Sequence, residues 1–276
     1  MTTSATPGLP QVAGYRLEAE IGRGRRSTVY LAWHLDTMHR VALKLARNGS
    51  DRTFAAAVSF QVEFEAQAAL AGPDVIRVFD TGRTGRQDFL AMEYAAGGSM
   101  AAHRGALGHT MVLSVVSQAA RALRRIHEHG WVHRDVKPAN MLLRADGGLA
   151  LADFGCARRA GEDEALAQGS VTGTPLYAAP EQSGGAPAHP AADVYSLGIC
   201  TYQMLAGEPP FPGQTLAELL GQHLLAPVPR LASAHAAWQP LVDTMLAKDP
   251  HDRPADGQAV LSQLQRMENT SIRNSS

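Results

Sequence analysis

The most informative part of this sequence reads His133-Arg134-Asp135-Val136-Lys137-Pro138-Ala139-Asn140, and Asp153-Phe154-Gly155 begins thirteen positions after Asn140. Asp153 and Asn140 are hard oxygen ligands of the kind that Mg²⁺ binds together with phosphate oxygens. Lys137 offers a cation for a terminal phosphate, and Asp135 can accept a hydrogen bond from a substrate hydroxyl. This set of side chains predicts phosphoryl transfer from a magnesium nucleotide.

These motifs resemble those of the Hanks-type, or eukaryotic-like, serine/threonine protein kinases of bacteria, and the resemblance covers about residues 15–266. It implies an α+β fold with two lobes. A small antiparallel β lobe with one key helix is expected at about 15–94, and a larger, mainly α-helical lobe at about 99–266. We expect a flexible N-terminal arm at 1–14 and a polar C-terminal tail at 267–276. The resemblance also implies ATP and Mg²⁺, with Mn²⁺ as an alternative ion.

The composition excludes several other classes of protein. The 276 residues are 45% hydrophobic, which is enough for one large bilobal domain or two modest ones. The net charge of −1 comes from 25 basic and 26 acidic residues, so no overall field attracts nucleic acid or an anionic membrane. No apolar stretch is long enough to span a bilayer. We therefore expect a cytoplasmic protein, either free-standing or a fragment of a tethered one.

The two cysteines, Cys156 and Cys200, favour a reducing compartment and argue against a disulfide framework or a thiolate metal site. Both are interpreted as small buried hydrophobes. A reactive thiol at Cys156, beside the nucleotide, is the less favoured alternative.

Gly22 and Gly24 lie between two short runs, 15–21 and 29–33, whose aliphatic and aromatic residues predict a β-hairpin. Glycine allows close approach of the backbone to phosphate oxygens. By resemblance, this is the glycine-rich loop over the nucleotide, although Ser27 replaces its third glycine. The loop positions assigned to the nucleotide are Ile21, Gly22, Arg23, Gly24 and Val29. The arginine side chains at this tip are interpreted as solvated charges.

Val41-Ala42-Leu43-Lys44 resembles the strand whose lysine holds the α and β phosphates. Such a lysine needs an acidic partner from the next helix, and Glu63 and Glu65 are the candidates. Glu63 has the family's spacing, whereas Glu65 projects about 200 degrees further around a helix of 3.6 residues per turn. Glu63 is therefore the favoured partner.

The run from Phe89 to Ser99 resembles the last strand of the small lobe and the hinge. By resemblance, the Glu93 carbonyl and the Ala95 amide read the adenine edge. The same resemblance places apolar walls around the adenine, namely Ile21, Val29, Ala42, Met92 and Leu142.

In the predicted large lobe, apolar residues at helical spacing indicate a helix over 111–129, with Gly130 as its stop. His127 and His129 are interpreted as incidental, because no third zinc ligand lies near them. The resemblance implies that Asp193 anchors the catalytic loop from below. It also implies a buried ion pair between Glu181 and Arg253.

Residues between Asp153 and Glu181 have the charged, glycine-rich composition of a loop that orders on demand. In the resembled family, an arginine at the position of Arg134 pairs with a phosphate on this activation segment. Ser170 is the favoured phosphate acceptor, and Thr172 is the second candidate. Thr174 resembles the threonine that hydrogen-bonds Asp135 and Lys137.

Lys137, two residues after Asp135, follows the serine/threonine pattern of the family, and Ala139 argues against strong selection of arginine in the substrate. The expected partners are ATP and protein substrates, with a homodimer for autophosphorylation in trans. Two other classes compete with an active protein kinase. A pseudokinase is supported by Ser27 alone, and a small-molecule phosphotransferase is disfavoured by Ala179-Pro180-Glu181 and the long activation segment.

Overall fold

The computed structural model describes residues 8–24, 26–47, 54–85, 87–103, 105–162 and 173–274; the side chains of 54–59 and 271–274 lie outside this description. The described residues form a small β-rich lobe and a larger helical lobe, connected by a short segment near residue 95. The motifs identified in the sequence lie around a cleft between the two lobes.

The small lobe is an antiparallel sheet with one helix beside it. Its elements are β1 (Tyr15–Arg23), β2 (Ser27–His34), β3 (Arg40–Ala46), α1 (Phe54–Ala69), β4 (Val78–Thr84) and β5 (Gln87–Glu93). The strands pair in the order β1-β2-β3-β5-β4. Side chains alternate between the faces of a strand, so one face buries Leu17, Leu43 and Phe89. The predicted hairpin is confirmed, with β1 and β2 flanking the glycine-rich turn.

The large lobe is mainly helical. Its elements are β6 (Gly98–Ser99), α2 (His109–Glu128), β7 (Trp131–Val132), β8 (Met141–Leu143), β9 (Leu149–Leu151), β10 (Arg158–Arg159), α3 (Pro180–Ser183), α4 (Pro190–Ala206), α5 (Leu216–Leu225), α6 (Gln239–Met245) and α7 (Gly257–Asn274). The helix predicted at 111–129 is confirmed as α2. The backbone after it turns through Gly130 at φ 72°, a conformation that glycine adopts without strain.

The core of this lobe lies between α2 and α4. The buried stripe of α2 includes Val116, Leu123 and Ile126, and it contacts α4, most of whose residues are buried. Close packing leaves no room for a side chain at Gly198, where an added Cβ would lie 2.9 Å from Leu246 Cδ2. These helices form the rigid base on which the catalytic loop rests.

The loop after α1 fixes the small lobe to the large one. Ile76 donates its backbone N–H to the Leu151 carbonyl over 2.9 Å, and Leu151 donates to the Asp74 carbonyl over 2.9 Å. From α2, Arg125 Nε donates to the Leu70 carbonyl over 3.0 Å. The end of α1 is therefore bound to the large lobe, and the helix packs both against β4 and β5 and against residues 154–156 of the large lobe.

Both ends of the chain differ from the expected arm and tail. Residues 1–7 lie outside the described part, but Val12 is buried in the small-lobe core beside Tyr15, because its apolar side chain completes that core. The Gly14 carbonyl accepts from Leu35 N–H over 2.8 Å. At the other end, α7 continues to Asn274, since no glycine or proline interrupts residues 258–274. The described parts of the arm and the tail are thus a packed segment and a helix.

The α+β, two-lobed architecture is the predicted one. Among the described helices, none is both long enough and apolar enough to cross a membrane.

The Glu181–Arg253 ion pair joins α3 to the segment before α7. Arg253 Nη1 and Nη2 donate to the Glu181 carboxylate over 2.7 and 2.9 Å, and the arginine side chain is 0% exposed. The same guanidinium donates to the carbonyls of Ala191, Ala247 and Lys248. Removing the carboxylate would leave a buried cation without its counter-ion.

We expect Glu181→Gln to lower the free energy of unfolding by about 3–5 kcal/mol, because an uncompensated buried charge has that cost. The measurement is denaturant unfolding at neutral pH. Glu20→Gln is the matched control, since Glu20 forms a similar two-bond pair with Arg23 on the surface. We expect it to leave the midpoint nearly unchanged. Equal midpoints for the two variants would contradict the structural role of the buried pair.

Candidate active site

A buried ion cluster lies at the back of the cleft. Lys44, on β3, donates from Nζ to both oxygens of Glu63 on α1, over 2.8 and 2.9 Å. The same Nζ donates to Asp153 Oδ1 over 2.8 Å. Glu63 is 2% exposed. One ammonium group therefore joins the small-lobe sheet, the helix α1 and the first residue of the Asp-Phe-Gly motif.

The charges of Lys44 and Asp153 stabilise each other, whereas burial raises the pKa of Glu63. Burial opposes the charge of Lys44, but the carboxylates of Asp153 and Glu63 outweigh it and raise the lysine pKa. The Lys44 ammonium lowers the pKa of Asp153 to about 2. Lys44 and Asp153 are thus both charged at neutral pH, which keeps a cation and a hard anion ready at the same point of the cleft.

The two glutamates considered in the sequence have different surroundings. Glu63 contacts Lys44, whereas Glu65 is exposed and accepts a hydrogen bond from Gln61 Nε2 over 2.8 Å. The difference follows from helix geometry, because residues two apart point to opposite sides.

Three polar side chains surround Asp135, two from the catalytic-loop motif and one from the activation segment. Its Oδ2 accepts from Lys137 Nζ over 2.5 Å and from Asn140 Nδ2 over 3.1 Å. Its Oδ1 accepts from Thr174 Oγ1 over 2.9 Å, and Lys137 Nζ also donates to Thr174 Oγ1 over 2.7 Å. The Asp135 carboxylate is therefore held in one orientation at the cleft.

Asp193, at the start of α4, holds the catalytic loop from below. Its Oδ2 accepts from His133 N over 2.8 Å, and its Oδ1 accepts from Arg134 N over 2.7 Å. Arg134 is buried and has a left-handed backbone, with φ 66°. A non-glycine residue keeps this strained conformation when its surroundings impose it, as the two bonds to Asp193 do.

His127 is a further partner of Asp193, and the interpretation of this histidine as incidental is wrong. Its Nε2 lies 3.0 Å from Asp193 Oδ2, and its Nδ1 accepts from Gly257 N over 3.2 Å. Burial disfavours the Asp193 charge, but the bonds from His127 and His133 outweigh it and lower the pKa of this carboxyl. Histidine in an amphipathic helix gave no signal for this contact, because its partners are 66 and 130 residues away.

Asn140 and Asp153 supply the donor set for a divalent cation. The Asn140 amide nitrogen donates to the Asp135 carbonyl over 2.8 Å, which leaves the amide oxygen as the atom suited to a cation. Asp153 Oδ1 is bonded to Lys44, and its carboxylate is ionised at neutral pH. One amide oxygen and one carboxylate fit Mg²⁺, which takes few protein ligands when phosphate oxygens complete its shell.

An apolar cluster lines the cleft beside the hinge. It brings together five residues predicted to contact a nucleotide, Val29, Ala42, Met92, Ala95 and Leu142. Ile76, Ala150 and Ala152 also belong to it and were missed, because isolated small or aliphatic residues outside a periodic pattern carry no distinct signal. Ile21 is 45% exposed and lies outside the cluster.

Gly22 lies near the end of β1, and Gly24 lies in the turn that follows, where the Gly24 N–H donates to the Ser27 carbonyl over 2.8 Å. The Arg23 side chain pairs with Glu20 on the surface, as expected for a solvated charge.

Part of the activation segment lies outside the described residues, including Ser170 and Thr172. Where the description resumes, Gly173 passes close to the catalytic loop at φ 82°, and an added Cβ would lie 2.6 Å from the Arg134 carbonyl oxygen. This contact requires glycine, and it brings Thr174 to Asp135.

A cavity of about 360 Å³ opens beside Lys137 and Ala139. Tyr177 and Gln203 form part of its wall and are hydrogen-bonded over 2.9 Å. The described lining also includes Met100, Leu107 and Met204, and it contains no acidic side chain.

The chain matches known proteins over nearly its whole length. A family model described as "Protein kinase domain" matches residues 15–265. The serine/threonine-protein kinase PknL of Mycobacterium bovis is 35% identical over 260 residues, which cover 91% of this chain and 65% of PknL. The serine/threonine-protein kinase drp72 of Corynebacterium efficiens is 36% identical over 252 residues, covering 88% of this chain and 48% of that protein.

A third relative is the serine/threonine-protein kinase Pkn1 of Myxococcus xanthus, 36% identical over 263 residues, covering 91% of this chain and 38% of Pkn1. The chain thus spans less than two thirds of the length of each of these relatives.

Cys156 lies beside the ion cluster, and its surroundings oppose a reactive thiolate. Burial, with the carboxylates of Asp135 and Asp153, raises the pKa of Cys156 to about 11. At pH 8 the thiolate fraction in the folded protein is then about one in a thousand. We expect iodoacetamide to alkylate Cys156 slowly in the native protein and rapidly in urea, where an ordinary cysteine pKa of about 8.5 applies. Equal rates in both states, measured by mass spectrometry, would contradict this environment.

Proposed function

Because this chain belongs to the protein kinase family, in its bacterial Hanks-type serine/threonine branch, we propose that it transfers the γ-phosphoryl group of ATP to serine and threonine hydroxyls of proteins. The observation that carries the proposal is the Lys44–Glu63–Asp153 cluster, which lies in the same cleft as the Asp135–Lys137–Asn140–Thr174 group. A scaffold without catalysis has no need for both sets.

Nucleotide binding uses groups from both lobes. Lys44 would hold the α and β phosphates, and the hairpin tip around Gly22 and Gly24 would cover them, because glycine allows close approach of the backbone. Val29, Ala42, Met92 and Leu142 enclose the adenine, while the Glu93 carbonyl and the Ala95 amide bind its edge. Ile21 and Arg23 are further positions of this glycine-rich loop over the nucleotide.

Asn140 and Asp153 would hold Mg²⁺, and the bound ion would supply the positive charge that neutralises the phosphate oxygens. Mn²⁺ is an alternative ion for the same oxygen ligands.

Asp135 orients the acceptor in the transfer step. Its carboxylate accepts the hydrogen bond of a serine or threonine hydroxyl, whose oxygen forms the new bond to phosphorus as the bond to the β-phosphate oxygen breaks. The hydroxyl proton passes to Asp135. Lys137 places its ammonium beside this carboxylate and stabilises the charge on the moving phosphoryl group. Thr174 is hydrogen-bonded to both Asp135 and Lys137 and thereby fixes their relative positions.

Substrate choice is supported by the cavity next to the catalytic loop. With Ala139 and Gln203 in its described wall, it offers no carboxylate for a substrate arginine or lysine. The proposal is therefore a protein kinase without strong selection for basic residues. We also propose a cytoplasmic location, because Cys156 and Cys200 are free thiols, as is usual in a reducing compartment.

Replacing the acceptor-orienting carboxylate tests the activity. We expect Asp135→Asn to lower transfer to a protein substrate by about 10²–10⁴-fold, the contribution typical of a positioned acid or base. The measurement is incorporation of labelled γ-phosphate, followed by phosphoamino acid analysis that finds phosphoserine and phosphothreonine. ATP affinity should change little, so a loss of nucleotide binding in this variant would point to misfolding. A wild-type chain that binds ATP but transfers nothing to protein would favour a pseudokinase.

Phosphorylation of the activation segment is a separate part of the proposal. We expect the purified chain to phosphorylate Ser170, with Thr172 as the second acceptor, in trans between two copies. Arg134 supports this, since a phosphate near its guanidinium would order the segment. Mass spectrometry of an Asp135→Asn chain incubated with active wild type distinguishes the routes. Phosphate on the inactive chain indicates transfer in trans, whereas an unmodified inactive chain beside a modified active one contradicts it.

A further inference from the structure

Arg144, the residue after β8, contacts two other segments of the chain with one guanidinium. Its Nε and Nη2 donate to the two oxygens of Glu93 over 2.5 and 3.0 Å. Nη2 also donates to the Val75 carbonyl over 3.4 Å, and Nη1 donates to the Pro73 carbonyl. The arginine side chain is 23% exposed, so this set of bonds is largely sheltered from solvent.

The segments that Arg144 joins are those that connect the two lobes. Glu93 is the last residue of β5 and the first of the hinge. Pro73 and Val75 belong to the loop that follows α1 and already binds the large lobe through Leu151. Arg144 thus contacts both the covalent link and the docked loop.

The hinge is held at its two ends by consecutive residues of the large lobe. Arg144 binds the Glu93 carboxylate, and the Leu143 carbonyl accepts from Gly97 N–H over 2.8 Å. The approach at Gly97 is close, because an added Cβ would lie 2.7 Å from that carbonyl oxygen. Residues 93–97 are therefore held at both ends by the large lobe, and Ala95 is the middle residue of this segment.

The ion pair in this arrangement is charged at neutral pH. Burial disfavours the Glu93 carboxylate, but the hydrogen bond from Arg144 outweighs it and lowers the pKa of this group. The backbone N–H of Arg77 also donates to Glu93 Oε2 over 3.3 Å.

We propose that Arg144 is a positioning residue for nucleotide recognition, which holds the hinge backbone at the place where it reads the adenine edge. This inference rests on the proposed function. Arg144 does not touch the nucleotide; it acts through the position of the Glu93 carbonyl and the Ala95 amide. Its loss should weaken the part of the binding that depends on the base, while Lys44 continues to hold the phosphates.

Equilibrium binding of ATP and GTP to Arg144→Met tests this role. Adenine and guanine present different donors and acceptors at the corresponding edge positions, so a fixed hinge favours ATP. We expect the variant to bind ATP about tenfold more weakly, and GTP nearly as well as the wild type does, so that the ATP preference falls by about tenfold. Arg83→Met is the matched control, because Arg83 pairs with Asp88 across the β4–β5 hairpin, away from the hinge. It should keep the ATP preference.

Two further variants refine the test. Glu93→Gln should lower the ATP preference less than Arg144→Met does, because the bonds from Arg144 to Pro73 and Val75 remain. Arg144→Lys keeps a cation but not the fork of donors, and should give an intermediate loss even if the methionine variant fails to fold.

Several results would overturn the inference. An unchanged ATP preference in folded Arg144→Met would do so, as would an equal weakening of ATP and GTP, which is the result of a merely structural role. If the wild-type chain binds ATP and Arg144→Met keeps the same ATP preference, this inference is contradicted while the proposed function stands. A wild-type chain that binds neither nucleotide contradicts the proposed function as well.

Discussion

The buried ammonium of Lys44 must be balanced by negative charge, and the carboxyl groups that balance it come from both lobes. A lysine ammonium removed from water is stable when carboxylates replace its solvation. Here one carboxylate comes from α1 and the other from the Asp-Phe-Gly motif of the large lobe. The cluster can form only when sheet, helix and large lobe adopt their present arrangement. The electrostatic requirement of one side chain thus sets the geometry of the cleft.

The large lobe meets this requirement by holding the catalytic loop rigidly. Asp193 binds two consecutive backbone N–H groups of the loop and, through His127, the start of α7. The left-handed backbone at Arg134 is kept by these bonds, and it turns Asp135 toward the cleft. The side chains that do chemistry are therefore oriented by groups that never contact a substrate.

The sequence predicted the parts of the site that lie within short motifs. Glu63 was favoured over Glu65 by the spacing of the resembled family and by helix geometry, and the ion pair with Lys44 agrees with that preference. Contacts between distant residues were missed, such as those of His127 and Arg144, because a lone histidine or arginine has no pattern that names its partner. The packing of Val12 in the small-lobe core was also missed, since the short apolar residues between Gly8 and Gly14 follow no strand or helix periodicity.

The most direct test of the account compares two glutamates on one helix. Glu63→Gln removes the carboxyl group that binds Lys44 in the buried cluster, whereas Glu65→Gln removes a carboxyl group from the exposed side of α1. Transfer of labelled γ-phosphate to a protein substrate is measured for both variants and for the wild type. The account predicts a loss of about 10²-fold or more for Glu63→Gln, a typical cost of a misplaced reacting group, and wild-type transfer for Glu65→Gln. Equal transfer by the two variants would contradict the claim that the Lys44 cluster makes the cleft active.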